Sequence, residues 1–403
     1  MANALLHAPA YQAAALALLD AGGALRQSHP AAQLLWFDAS HVACVYDAAA
    51  WRPDDLVASA ADLWSQPGAD VVDVVIVGGP EALRDAVRGA RTHDGTARTL
   101  GLTRVSDGGA VEVDHTSRRV AEALRSAFTQ GVPALRPEAD VEARVAASLR
   151  RGRAQADELA SFQDQLSSRS ARVTTAALAV IAALFAAQWA LGDHGIVTDL
   201  RMGALAPSLV AREPWRLVSY AFLHANGQHV AFNAMTLYSL GSFYERLLGR
   251  WRFAGLFVAS AIGGGVAACF AGPTHIMVGA SGALWGMLGV SFALALRPGD
   301  TLPAALLPGF RRNAALNLAL QVAVSMLPHV SWQAHLGGGL AGFALMLSGA
   351  LRPRADGRGE AAWRVAGGLS VALSLASIAA ALAVGQPWTL RGHHSLESIL
   401  DER

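Results

Sequence analysis

A serine flanked by glycines, Gly279-Ala280-Ser281-Gly282, opens one of the long apolar runs of this chain. Polar side chains with catalytic chemistry lie near the starts of neighbouring runs, His229 and Asn233 in one and His335 in another. Polar groups are costly in hydrocarbon, so such a set marks a candidate functional site. A serine hydroxyl becomes a nucleophile when a base lies within hydrogen-bond reach, and His335 is the candidate base for Ser281. The tetrahedral intermediate of acyl transfer then needs donors aimed at its oxyanion. His229 and Asn233 are spaced i, i+4 and share one helix face. The Ser281 N–H is a third donor, because the first N–H groups of a helix have no partner within it. Gly279 and Gly282 leave room for backbone approach. Trp285, one turn after Ser281, can stack on His335. A lone serine in a membrane helix is usually a packing residue; four polar groups at one depth are harder to explain that way.

Other chemistries are disfavoured. His224 and His229 are not in HExxH spacing, no acidic residue lies near them, and Cys44 and Cys269 are isolated, so no metal or cofactor is expected. A paired-aspartate protease would need an Asp inside an apolar run. Net charge is +1 with no basic stripe interleaved with aromatics, which argues against nucleic acid as a partner.

The elements that must position these residues follow from composition. The chain has 403 residues, 53% of them hydrophobic, but the two halves differ. Residues 1–170 carry charges every few positions; from Val173 to Gly385 charges retreat to short clusters between apolar stretches. The expectation is a soluble domain followed by a polytopic helical membrane domain. Seven spans are read: Val173–Leu191, Gln228–Leu248, Phe253–Gly272, Gly279–Leu296, Asn313–Leu327, Trp332–Leu351 and Trp363–Gly385. All 32 basic side chains are arginine, which suggests a high-GC bacterium and hence its inner membrane. Arginines cluster before the first span and in alternate connections, so the N-terminal domain is expected in the cytoplasm and the C-terminus outside. No N-terminal signal peptide is read, because Tyr11–Leu19 lacks a basic flank. With this topology spans two, four and six all enter from outside, which brings His229, Asn233, Ser281 and His335 to one level near the outer leaflet. The exception to the arginine pattern is the long connection Gly192–Gly227, which holds Arg201, Arg212 and Arg216 on the outer side and must be structured or interfacial.

The spacing in the first half predicts a small α/β domain: helices over Pro9–Asp20, Pro53–Trp64, Glu81–Ala90 and Ser117–Phe128. Strands are expected over Gln33–Phe37, Val42–Tyr46, Val71–Val77, Thr99–Val105 and Ala110–Val113. Gly78-Gly79-Pro80 lacks the spacing of a phosphate loop and reads as an ordinary strand-to-helix turn. The boundaries drawn are 1–137 for the α/β domain, 138–170 for a helical connector, 171–352 for a six-helix catalytic core, and 353–403 for a seventh span and external tail. The tail's His393-His394 pair is assigned nothing.

Together these motifs resemble the rhomboid family of intramembrane serine proteases over about Gly203 to Gly342. The carrying residues are Glu213-Pro214-Trp215-Arg216, Phe222-Leu223-His224, His229 with Asn233, Glu245 with Gly249, Gly279-Ala280-Ser281-Gly282 and Ala334-His335-Leu336-Gly337-Gly338. The resemblance implies a Ser281–His335 dyad without a third carboxylate, and an oxyanion site from His229, Asn233 and the Ser281 N–H. It implies supporting roles for Gly279, Gly282, Trp285, Trp215, Arg216, Glu245 and Gly338, with Trp215 and Arg216 anchoring a loop at the bilayer interface. Its expected fold is a rhomboid-like helical bundle of six core spans plus one. Its expected partners are the lipid bilayer and transmembrane protein substrates cut near the outer leaflet. A scaffold that binds client helices without cutting is the rival; loss of Ser281 or His335 would mark it, and both are present. A transporter would want internal repeats, and none is seen. Asn313, Asn317, Gln321 and Ser325 recur every four residues in the fifth span. Interhelical hydrogen bonding is the favoured reading of that stripe. The alternative is the border of a lateral entry route, since in rhomboids this helix is the proposed gate.

Overall fold

The computed structural model describes residues 9–29, 32–37, 41–64, 71–90, 99–106, 108–134, 138–190, 195–272, 275–328, 330–353, 357 and 359–385. The tail Gln386–Arg403 and its histidine pair lie outside them. The chain forms two compact units, Met1–Ser161 with Pro303–Gly309, and Phe162–Leu302 with Phe310–Arg403.

The first unit is built on a six-stranded sheet in the order β1 (Ala24–His29), β2 (Ala32–Trp36), β3 (His41–Asp47), β4 (Val71–Val77), β5 (Thr99–Val105) and β6 (Val111–Asp114). β3, β4 and β5 run parallel, and the outer pairings are antiparallel. Strands covered on both faces read as unbroken apolar runs, and β4 is buried at every position after its first. Helices α1 (Pro9–Asp20) and α4 (Arg118–Ala127) cover one face; α2 (Pro53–Trp64) and α3 (Glu81–Gly89) cover the other. The strand period of two sends Ala43 and Val45 into the first layer and Val42, Cys44 and Tyr46 into the second.

Two features depart from the sequence reading. β1 was not anticipated: Ala-Leu-Arg-Gln-Ser-His carries little apolar alternation, and an edge strand that pairs only with β2, across a register shift between Leu25 and Gln27, needs none. The connector also begins as core. α5 (Glu138–Ser168) buries Val141 and Val145 in the α1/α4 layer, and Ser148 Oγ accepts from the Leu25 N–H at 2.8 Å.

A Ser-His-Asp set lies in this unit. Asp73, fully buried on β4, accepts from the Ser117 N–H at 3.0 Å, from Ser117 Oγ at 2.5 Å, and from His41 Nε2 at 2.9 Å. The same imidazole nitrogen faces Ser117 Oγ at 3.3 Å, so no proton path runs through the ring. Ser117 is the N-cap of α4, and the set is a buried capping network.

The second unit is helical. Its elements are α6 (Arg172–Ala190), α7 (Ile196–Arg201), α8 (Pro207–Val210), α9 (Arg216–Ser219), α10 (Gly227–Thr236), α11 (Ser242–Leu248), α12 (Arg250–Ala268), α13 (Ser281–Leu296), α14 (Leu307–Ser325), α15 (Trp332–Leu347) and α16 (Glu360–Gly385). Among the described residues, three helical segments are long and apolar enough to cross a membrane, Arg172–Ala190, Arg250–Ala271 and Glu360–Val384; Ser281–Leu296 is apolar but shorter. The run Gln228–Leu248 is α10 and α11 joined by a π-helical turn at Leu237–Gly241.

Short helices α7, α8 and α9 fill the connection between α6 and α10. Arg216 ties them together from inside. It is 2% exposed, pairs with Glu213 at 2.6 Å, and donates to the carbonyls of Leu200 and Ala204 at 2.9 and 2.7 Å. A guanidinium with a carboxylate and two carbonyls in reach is satisfied within the protein. Burial lowers its proton affinity and Glu213 opposes that. Trp215, beside it, is partly buried and is the N-cap position of α9. Glu245 on α11 is also buried, accepting from the Val173 and Thr174 N–H groups at 2.8 and 2.7 Å and so capping α6.

Candidate active site

Helices α12, α13 and α15 touch through glycine. A Cβ on Gly338 would collide with the Gly282 backbone, one on Gly342 with the Gly286 backbone, and one on Gly264 would lie 2.9 Å from the Ala334 carbonyl. With no side chain between them, α13 and α15 can bring short side chains of the two helices to one place. Ser281 is the first residue of α13, and His335 lies one turn into α15, whose N-cap Ser331 accepts from the Ala334 N–H.

His335 is 4% exposed and held on two sides. Trp285 stacks on its ring, with centroids 5.1 Å apart and planes 17° from parallel. On the other side, Ser325 Oγ from the C-terminal end of α14 lies 2.6 Å from His335 Nδ1. The direction of this bond follows from counting protons. A hydroxyl has one proton, and that of Ser325 goes to the Gln321 carbonyl at 2.7 Å. Ser325 Oγ therefore accepts, Nδ1 carries the proton, and Nε2 is left with the lone pair. No carboxylate bonds the imidazole among the described residues.

His229 is the third residue of α10, behind the N-cap Asn226, whose Oδ1 accepts from the His229 N–H at 2.8 Å. Its ring packs on the chain just before Ser281: a Cβ on Gly279 would lie 2.7 Å from His229 Nε2. Gly279 also has φ of +125°, so two independent constraints require glycine there. His224 sets its ring edge-on to His229 at 5.0 Å and is buried. Asn233 donates to the His229 carbonyl at 3.0 Å, which uses one of the two N–H bonds of its amide.

The structure thus brings His335 to Trp285 and Ser325, and His229 to Gly279 and His224. It forms no hydrogen bond between Ser281 Oγ and another described residue, His335 included; such bonds are often long without substrate and tighten when it binds. Sequence reasoning saw Ser325 only as the last member of a polar stripe. The interhelical bonding expected of that stripe holds at Ser325, while Asn317 donates back to the Asn313 carbonyl of its own helix. His224 was noted only within a motif. Its signal was its place five residues before His229, just ahead of the helix.

A family model for the rhomboid domain matches residues 211–351. RHOMBOID-like protein 1 of Arabidopsis thaliana is 36% identical over 169 residues, 41% of this chain and 42% of the relative. Rhomboid protease GluP of Bacillus subtilis (strain 168) is 33% identical over 153 residues, 38% of this chain and 29% of the relative. The putative rhomboid protease YdcA of the same strain is 31% identical over 137 residues, 33% of this chain and 66% of the relative. The matches span less than two thirds of each of these relatives, and residues before the loop helices lie outside the family match.

Proposed function

The chain belongs to the rhomboid family, and from that premise we propose that it is an intramembrane serine endopeptidase whose Ser281–His335 dyad cuts transmembrane substrates near the outer leaflet. The observation that carries this reading is the environment of His335. Stacked on Trp285 and donating from Nδ1 to Ser325, the ring offers Nε2 as a base. Nε2 takes the Ser281 hydroxyl proton as Oγ attacks the scissile carbonyl, and later returns it to the leaving amine. Ser325 does for the tautomer what a carboxylate does in a triad, without bringing a second charge into a low-dielectric site. The Ser281 N–H, His229 and the free amide N–H of Asn233 would stabilise the oxyanion.

The arginine distribution supports a bacterial inner-membrane protein with its α/β domain in the cytoplasm, six core spans and a seventh at the C-terminal end. Under that reading the domain boundaries remain 1–137, 138–170, 171–352 and 353–403, with the first turns of the connector packed into the domain before it. The test is labelling by a fluorophosphonate probe together with cleavage of a reconstituted single-span substrate. Wild type should label and cleave; Ser281→Ala and His335→Ala should do neither. A wild type that binds the substrate helix but neither labels nor cleaves is the scaffold, and the proposal fails.

A further inference from the structure

A second site lies in the helical unit, away from Ser281. Helices α6, α12 and α16 enclose a groove of about 320 Å³, within the range of small-ligand pockets. Its walls are almost wholly apolar: Val173, Ala177 and Val180 from α6, Phe253 and Phe257 from α12, Val371 and Leu375 from α16. Phe222 also lines it and packs its ring 5.7 Å from that of Phe257. The three helices all begin at one end. α6 starts at Arg172 and α12 at Arg250, and Glu360, the first residue of α16, pairs with Arg252 of α12 at 2.6 Å.

That shared end is cationic. Arg172 and Arg250 both line the groove, both are exposed, and among the described residues neither has a carboxylate partner. No acidic residue is part of the lining. Trp251 lies beside them, with the Arg250 guanidinium 4.9 Å over its ring. The buried carboxylate of Glu245 is already spent on the first N–H groups of α6. The groove therefore presents an apolar slot, an aromatic rim and two unneutralised cations in that order. An acyl chain fits the slot, and a phosphate diester fits the pair of arginines, which bind phosphate through a planar fork.

We infer that the α6/α12/α16 groove is a binding site for one anionic phospholipid, its acyl chain against Val180, Phe257 and Val371 and its phosphate between Arg172 and Arg250. The site needs only that the helical unit lies in a bilayer, so it is independent of the protease reading. The bound lipid would fasten the last helix, α16, to the core at the level where side chains alone leave a gap.

The experiment is native mass spectrometry of the full chain released from nanodiscs of equal phosphatidylglycerol and phosphatidylcholine. Wild type should retain one phosphatidylglycerol in preference to phosphatidylcholine. Each arginine near an anionic surface contributes about a fivefold preference. Arg172→Gln with Arg250→Gln should therefore lower the selectivity about 25-fold, with a lipid still bound. Val371→Trp should remove the bound lipid of either kind. Thermal unfolding followed by circular dichroism in both variants reports whether the helical unit is folded. Equal retention of the two lipids by wild type, or selectivity unchanged in the arginine pair variant, overturns the proposal. The arginine variant decides the matter should Val371→Trp fail to fold.

Discussion

Ser325→Ala isolates the contribution of α14 to the base. The substitution removes one oxygen, from a residue that is 5% exposed, bonded to His335 Nδ1 at 2.6 Å, and touches neither Ser281 nor the oxyanion donors. When Nε2 takes the serine proton, the ring becomes an imidazolium and the Nδ1–H bond becomes charge-assisted. Such bonds contribute about 1.5–3 kcal/mol, against about 0.5–1.5 for a neutral pair. The difference between wild type and variant is felt mainly in the transition state, so it falls on kcat. The bond strengthens by about 1–1.5 kcal/mol between ground and transition state, so at 1.36 kcal/mol per decade the expected loss is about 5- to 13-fold in kcat, with KM within about twofold because ground-state contacts with substrate are untouched. Ser325→Thr keeps the acceptor and should recover most of the rate. The assay is steady-state cleavage of a reconstituted single-span substrate, with thermal unfolding measured in parallel. A loss of kcat that threonine does not restore, or one that tracks a fall in Tm, would refute tautomer control and leave Ser325 as a packing residue.

Other outcomes follow from the same geometry. Gly338→Ala should abolish fluorophosphonate labelling because its methyl meets the Gly282 backbone, whereas Gly339→Ala, with its nearest neighbour 3.5 Å away on Trp285, should label normally; equal labelling would dismiss glycine-mediated approach. Glu213→Ala leaves Arg216 buried without its carboxylate and should cost about 3–5 kcal/mol, read as a fall in Tm in detergent; an unchanged Tm would show the two carbonyls suffice. In the α/β unit, burial pushes the Cys44 thiol up to about 12. The folded state thus holds its proton above the unfolded value, and this contribution to stability is complete below about pH 8.5 and lost as pH rises towards 12. Maleimide should therefore leave Cys44 untouched at pH 8 until denaturant is added; rapid native labelling would contradict its burial.

What could be read from the chain alone was whatever depends on local pattern. Val71–Val77 is a strand buried on both faces, and its composition says so without reference to any neighbour. Helix boundaries set by Pro, Gly and Ser caps were legible for the same reason, as at Pro53–Trp64 and at Ser117 before α4. Ser281 and His335 stand out as candidates for a related reason, because a polar group in an apolar run is anomalous on its own. Structures held by long-range contact left no such mark. The edge strand β1 has no alternation to announce it, and Val141 and Val145 of α5 become core only because α1 and α4 leave room for them. Arg216 reads as a surface cation until Glu213 and two carbonyls close around it. The role of Ser325 is the sharpest case. It is one of four polar side chains in a periodic stripe, and only the fold puts its hydroxyl, rather than the amide of Gln321, beside Nδ1 of His335. Residue type and spacing mark which groups are candidates for chemistry, because those are properties of single helices. Which proton sits on which nitrogen depends on a contact between two helices, and that is a property of the tertiary structure.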